Sequence, residues 1–228
     1  MSTEIPPAGR DSNAATKLQI LATEHWSLLA TRSLTYTESL GRVNMFLAVL
    51  SGAVIALALV AQADRFGTTF VAVAIFMLSV VLFAGIATVG RLMMLNRDDY
   101  KWVIGMNRLR HAYLEMHPEL EQHFITSPYD DLPGALQTLG IDVAGTQRLG
   151  SVFHGFITLP GMLVVIVSAV AGAIGGLAAV GFGAPTLGVL GAGAIAFAVA
   201  LVVMGNWGRR SVRLFSPMVE PRFPTPKK

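Results

Sequence analysis

Residues Val43–Ala63 read VNMFLAVLSGAVIALALVAQA, without one charged side chain. At 1.5 Å rise per residue, about 20 such residues cross the hydrocarbon core of a bilayer. Three further runs have the same character: Thr69–Val89, Phe156–Val180 and Thr186–Trp207. A soluble domain does not need four such runs, so the sequence predicts an integral membrane protein. Charged residues make up 14% of the chain, against about 25% in an ordinary globular domain, and the deficit lies within these runs.

The chain has no cysteine, which excludes disulfides, thiolate catalysis and Cys-based zinc sites. A cleaved signal peptide is not expected. The first apolar run begins at Val43, after a polar segment holding Pro6, Pro7, Arg10, Asp11 and Lys17.

The formal charge of +3 does not argue for nucleic acid; its placement is the useful part. Sixteen of the 17 Lys and Arg residues lie before the first run, between the second and third, or after the fourth. Only Arg65 falls between paired runs. If all four runs span, those three segments share one side. The positive-inside rule makes that side the cytoplasm. The expected localisation is the cell inner (plasma) membrane, multi-pass, with both termini cytoplasmic.

The expected fold is all-α: four transmembrane helices as two antiparallel hairpins, an N-terminal amphipathic helix and a cytoplasmic helical segment. Residues 1–13 read as disordered, and 14–42 as a cytoplasmic amphipathic helix with Leu18, Leu21, His25, Leu28, Arg32 and Tyr36 at steps of three and four. The first transmembrane hairpin takes residues 43–91. A cytoplasmic helical insertion follows over 92–152, the second hairpin over 153–208, and a basic, Pro-rich tail over 209–228. Within the insertion, Arg91–Glu115 continues the helical rhythm and Pro118 marks its end. The stretch Thr126–Gly134 (TSPYDDLPG) reads as a loop before a short helix near Ala135–Leu139. The tail from Ser216 reads as extended and disordered.

The last two spans are rich in small residues. Ser168, Gly172 and Gly176 form one ridge, and Gly188, Ala192 and Ala196, extended by Ala200, form another. Such ridges let backbones approach closely in lipid, and both are expected to pack within the second hairpin. The spans carry no ionisable residue, which argues against a proton-coupled transporter. Ser51, Ser79, Thr88, Thr158 and Ser168 are the polar side chains well inside them, and a bond to the helix's own backbone is the ordinary role of such hydroxyls.

His111, His117 and His123 stand six apart among Glu115, Glu119 and Glu121. His117 and Glu121 have the i,i+4 spacing of a metal pair, but Pro118 intervenes, so solvation is preferred to metal binding. Asp130-Asp131 lacks a Gly-rich phosphate loop and reads as a turn. No catalytic residue, cofactor or metal is assigned, and the chain is not read as an enzyme. Arg91, Arg97, Arg209, Arg210 and Arg213 flank the spans and suit anionic lipid headgroups.

The stretch His25-Trp26 through Arg32, Tyr36 and Arg42-Val43-Asn44 resembles the entry of SLATT-type membrane proteins. The resemblance covers about residues 14–115. It implies an amphipathic helix leading into a two-span hairpin and then a cytoplasmic helix, and a bacterial pore-forming effector activated by a partner. The second hairpin here departs from that two-span pattern, and no individual residue role is carried over. The expected function is a small, passive, oligomeric pore or channel-like protein, or its regulatory relative. The alternative is a non-conducting membrane scaffold or adaptor that recruits partners through its cytoplasmic helices. Expected partners are the lipid bilayer, anionic lipids, further copies of the chain and a cytoplasmic protein; nucleic acid is not among them.

Overall fold

A computed structural model describes residues 8–140, 158–213 and 220–226. The segment 141–157 lies outside the described residues, and with it Arg148 and the expected start of the second hairpin. So does the expected beginning of the tail at Ser216.

The described residues are helical apart from turns and short extended segments. Helix α1 is Ala8–Asp64, α2 is Thr68–Met116, α3 is Leu132–Thr138, α4 is Leu159–Gly181 and α5 is Thr186–Arg213; a 3₁₀ segment covers Pro118–His123. Four of these helices, α1, α2, α4 and α5, are long and apolar enough to cross a membrane. Helix α1 begins at Ala8, within the segment read as disordered, and runs through Gly41 without a break. Between α1 and α2 only residues 65–67 turn the chain. Arg65 and Phe66 take positive φ there, and Asp64 Oδ2 accepts the Phe70 N–H at 2.7 Å. Pro160 falls in the first turn of α4, where its missing N–H costs nothing, and the Thr158 hydroxyl accepts the Gly161 N–H at 3.3 Å.

The chain divides into two compact units. The second unit, Thr37–Arg97 with Thr146–Phe215, has an apolar core of Phe46, Leu78, Val81, Val89, Leu92, Leu163, Val167 and Met204. Its helices meet at small residues. A Cβ on Gly85 would fall 2.6 Å from Val167 and 3.0 Å from Phe46, and one on Gly175 would fall 2.6 Å from Ala196 Cβ. The Ser79, Thr88 and Ser168 hydroxyls donate to the carbonyls of Ile75, Ala84 and Val164, each one turn back on its own helix.

The first unit, Met1–Tyr36 with Asp98–Gly145 and Ser216–Lys228, is built differently. Its apolar core is small: Val103, Ile104, Met106 and Ala135, with Leu28, Tyr100 and Leu139 against it. Polar contacts join its parts. Arg32 forms a two-pronged pair with Asp99, at 2.7 and 3.3 Å, and the His25 ring stacks on Tyr113 with centroids 5.9 Å apart.

Candidate functional site

The most built polar site among the described residues lies in the first unit, on the loop between the 3₁₀ segment and α3. Its foundation is Asn107 of α2, whose side chain is fully buried. Asn107 Nδ2 donates to the Tyr129 carbonyl at 2.7 Å. Its Oδ1 accepts from the Thr138 hydroxyl at 2.9 Å and from Arg110 at 2.7 Å. Thr138 Oγ1 in turn accepts the Ser127 N–H, and Ser127 Oγ accepts the Tyr129 N–H, both at 3.2 Å. A loop of Ser, Pro, Tyr and Asp would otherwise have many conformations. These bonds hold it in one and set the two aspartates that follow.

Asp130 is 0% exposed. Its Oδ2 accepts from Arg108 Nε at 2.7 Å and from the Arg222 N–H at 2.9 Å, and its Oδ1 accepts the Phe223 N–H at 2.8 Å. The Asp130 N–H donates back to the Phe223 carbonyl at 3.1 Å. Asp131 does two jobs. Its Oδ1 caps α3 by accepting the Gly134 N–H at 3.0 Å, and also accepts the Thr225 hydroxyl at 2.7 Å; its Oδ2 accepts the Thr225 N–H at 2.8 Å. Arg108 Nη2 reaches the Glu220 carbonyl at 2.8 Å, and the His111 ring lies over Phe223 with centroids 3.9 Å apart and planes 22° from parallel. Gly134 is required here, because a Cβ would run into the Tyr129 carbonyl.

The captured segment, Glu220–Pro226, reads EPRFPTP. Pro221, Pro224 and Pro226 have no N–H to offer. The three backbone donors between Pro221 and Pro226 belong to Arg222, Phe223 and Thr225, and all three go to the paired carboxylates. Proline spacing and carboxylate spacing therefore match. Bonds of this charge-assisted kind contribute roughly twice what neutral ones do. They also shape the acidity of the pair. Burial works to raise the Asp130 pKa, but the Arg222 N–H, the Arg108 guanidinium and the Phe223 N–H outweigh it and hold the group below its ordinary value. Asp131 behaves alike: burial is outweighed by the Thr225 hydroxyl and by the N–H groups of Gly134 and Thr225.

The sequence missed this site. The Asp130-Asp131 pair is more than a turn, and residues 220–226 are anchored to it through the N–H groups of Arg222, Phe223 and Thr225. The one local sign of it was the spacing of donors between prolines.

The residues singled out from sequence fall elsewhere. A Cβ on Gly172 would lie 3.1 Å from the Gly193 carbonyl, and one on Gly175 3.0 Å from the Ala192 carbonyl. Ser168 is buried and Gly176 lies against Val189, but a Cβ on Gly188 would meet only Ala184 and Pro185 of its own turn. The close contact thus runs through Gly172, Gly175, Ala192, Gly193 and Ala196. Arg91 and Arg42 both bond Glu38, at 3.0 and 2.8 Å, so Arg91 shares its charge with a carboxylate. Arg209 and Arg210 are exposed, Arg97 is half-buried, and Arg213 is the last residue of α5. His117 bonds Glu119 at 3.0 Å and His111 approaches Glu115 at 3.6 Å. Among the described residues no three His, Asp or Glu side chains converge as metal ligands do.

Neither a family model, nor a curated protein, nor a solved structure matches this chain.

Proposed function

We propose that the protein is a multi-pass membrane scaffold whose extramembrane helical unit binds an extended peptide segment between two carboxylates. The observation that carries this reading is the Asp130–Asp131 site, occupied by residues 220–226. Most of its bonds go to peptide backbone, so they suit an extended chain in general. The His111–Phe223 stack and the Thr225 hydroxyl add a preference for side chains. A partner segment with the same proline spacing fits the same site.

In this reading α1 and α2, and then α4 and α5, form two antiparallel hairpins in the inner membrane. The first unit and both termini are cytoplasmic, a placement that the distribution of Lys and Arg supports. Arg97, Arg209, Arg210 and Arg213 meet anionic headgroups. Single cysteines at Phe66 and Phe182, in a chain that has no other, then label from outside intact cells, and one at Asn13 does not. The reverse pattern inverts the topology.

The scaffold role is tested with the full chain in nanodiscs, carrying Gly at Arg222, Phe223 and Thr225 so that its own tail is loosened. A fluorescent EPRFPTP peptide should bind with raised anisotropy, and adding Asp130→Asn should abolish binding. No binding at millimolar protein would leave the site as internal packing and remove the support for a scaffold.

A second reading, the oligomeric pore that the SLATT resemblance implies, draws on one observation. Only 6% of the apolar window of α5 is buried within the chain, so its other faces meet lipid or further copies. The self-bonded hydroxyls of Ser79, Thr88 and Ser168 speak for lipid, since they leave little to line a water path. A single-chain mass in nanodiscs and no ion flux from loaded vesicles would end the pore reading.

A further inference from the structure

Thr225 holds the tail with both of its donors. Its N–H goes to Asp131 Oδ2 at 2.8 Å and its hydroxyl to Asp131 Oδ1 at 2.7 Å. Asp131 Oδ1 already accepts the Gly134 N–H at 3.0 Å, so it has no spare capacity to move away without uncapping α3. Asp130, the preceding residue, is a fully buried carboxylate. The site therefore tolerates a hydroxyl donor at Thr225 and nothing negative. Around Thr225 the chain lies outside any helix, Pro224 and Pro226 are exposed, and neither offers a backbone donor. A hydroxyl outside regular structure and followed by proline is also a form in which protein kinases accept a substrate.

We propose that Thr225 is a phosphorylation site, and that its phosphate ester releases residues 220–226 from Asp130 and Asp131. The donor is a nucleoside triphosphate, delivered by a protein kinase acting on the transiently open tail. The bond from Thr225 Oγ1 to the γ-phosphorus forms and the bond from that phosphorus to the bridging oxygen breaks. The nucleoside diphosphate leaves, and the hydroxyl proton passes to the kinase's base. The product has lost its O–H donor and carries about −1.5 to −2 charges where it had none. Two acceptors then face each other where a donor and an acceptor met, so the closed state is excluded. Opening the tail clears the carboxylates for a partner segment. The proposal deepens the peptide-binding reading and rests on it for its purpose. The release step itself concerns only the chain's own tail.

The test is amide hydrogen exchange of the tail in the full chain in nanodiscs, reading the Arg222, Phe223 and Thr225 amides. Thr225→Val removes one charge-assisted bond and keeps the N–H, and should speed exchange about tenfold. Thr225→Glu, and the wild type phosphorylated by a proline-directed kinase with ATP, should speed it about a hundredfold or more. Asp131→Asn supplies an open tail as a second kinase substrate. Exchange in the phosphorylated chain no faster than in Thr225→Val would overturn the proposal, since the phosphate would then be accommodated. So would slower exchange, which would mean capture by a neighbouring arginine. Failure of the kinase to modify Thr225 even in Asp131→Asn would overturn it as well. None of these outcomes touches the anisotropy measurement, which tests the peptide-binding reading separately.

Discussion

The two units of this chain solve the same problem with opposite materials. The second unit packs helices through absence: Gly85, Gly172 and Gly175 leave room, and Val167, Ala196 and the Gly193 carbonyl fill it. Among the described residues the first unit has only a small apolar core, and it depends on polar bonds with defined partners, from Arg32–Asp99 to the bonds at Asp130 and Asp131. Small-residue packing is insensitive to pH and to charge. A carboxylate site is sensitive to both. The difference makes the first unit, where polar bonds outweigh a small apolar core, more sensitive to pH and charge than the small-residue contacts of the second.

Gly175→Leu should have the largest effect. A Cβ there already overlaps Ala196, and the two backbones cannot part without opening the core, so a loss of about 3 kcal/mol or more is expected. Thermal unfolding in detergent should show it, while the tail amides keep their protection if the units are independent. Loss of protection at Arg222 and Phe223 in this variant would break the comparison.

Asp130→Asn comes next. It leaves Arg108 facing a neutral group and turns one acceptor oxygen into a donor aimed at an N–H. A cost of about 2–3 kcal/mol to the closed tail is expected, read by hydrogen exchange, with the second unit unmoved. Gly134→Ala should cost about 1–2 kcal/mol, since its Cβ meets the Tyr129 carbonyl that Asn107 holds. A variant as protected as wild type would show that the loop gives way easily.

Acid separates the units without mutation. Asp130 and Asp131 have lowered folded pKa values, so they contribute stability above the unfolded carboxylate value and lose it as pH falls through their own. Tail protection should hold at neutral pH and fade below about 4, where an unfolded Asp becomes protonated. Helical content of the spans should not change over that range. Ser168→Ala marks the small end of the scale. Its hydroxyl serves only the Val164 carbonyl, so a shift within about 0.5 kcal/mol is expected.

The four spans were legible because a bilayer imposes length and composition on any residue run that crosses it. On α4, small residues are sparse enough for their spacing to choose a face, and Gly172 on that face lies against the Gly193 carbonyl. On α5 the stretch Gly191–Ala200 (GAGAIAFAVA) alternates small residues almost everywhere, so spacing chooses no face, and Gly193 was missed. The site at Asp130 and Asp131 was illegible for another reason. Each aspartate was read beside its neighbours, where it resembles a turn, and the Pro-rich tail was read beside its own, where it resembles disorder. The match exists only when the two are laid together.

That match sets the order in which the first unit can be completed. Phe223 and Thr225 follow Asp130 and Asp131 by 93 and 94 residues, and α4 and α5 lie between them in sequence. Closing so long a loop is entropically slow, and both later spans must be made first. Until then the partners prepared for the tail, Asp130 above all, stand with water or with Arg108 alone. Completion of the first unit is thus a late event in the life of each chain, and a closed tail reports that everything before it has been built.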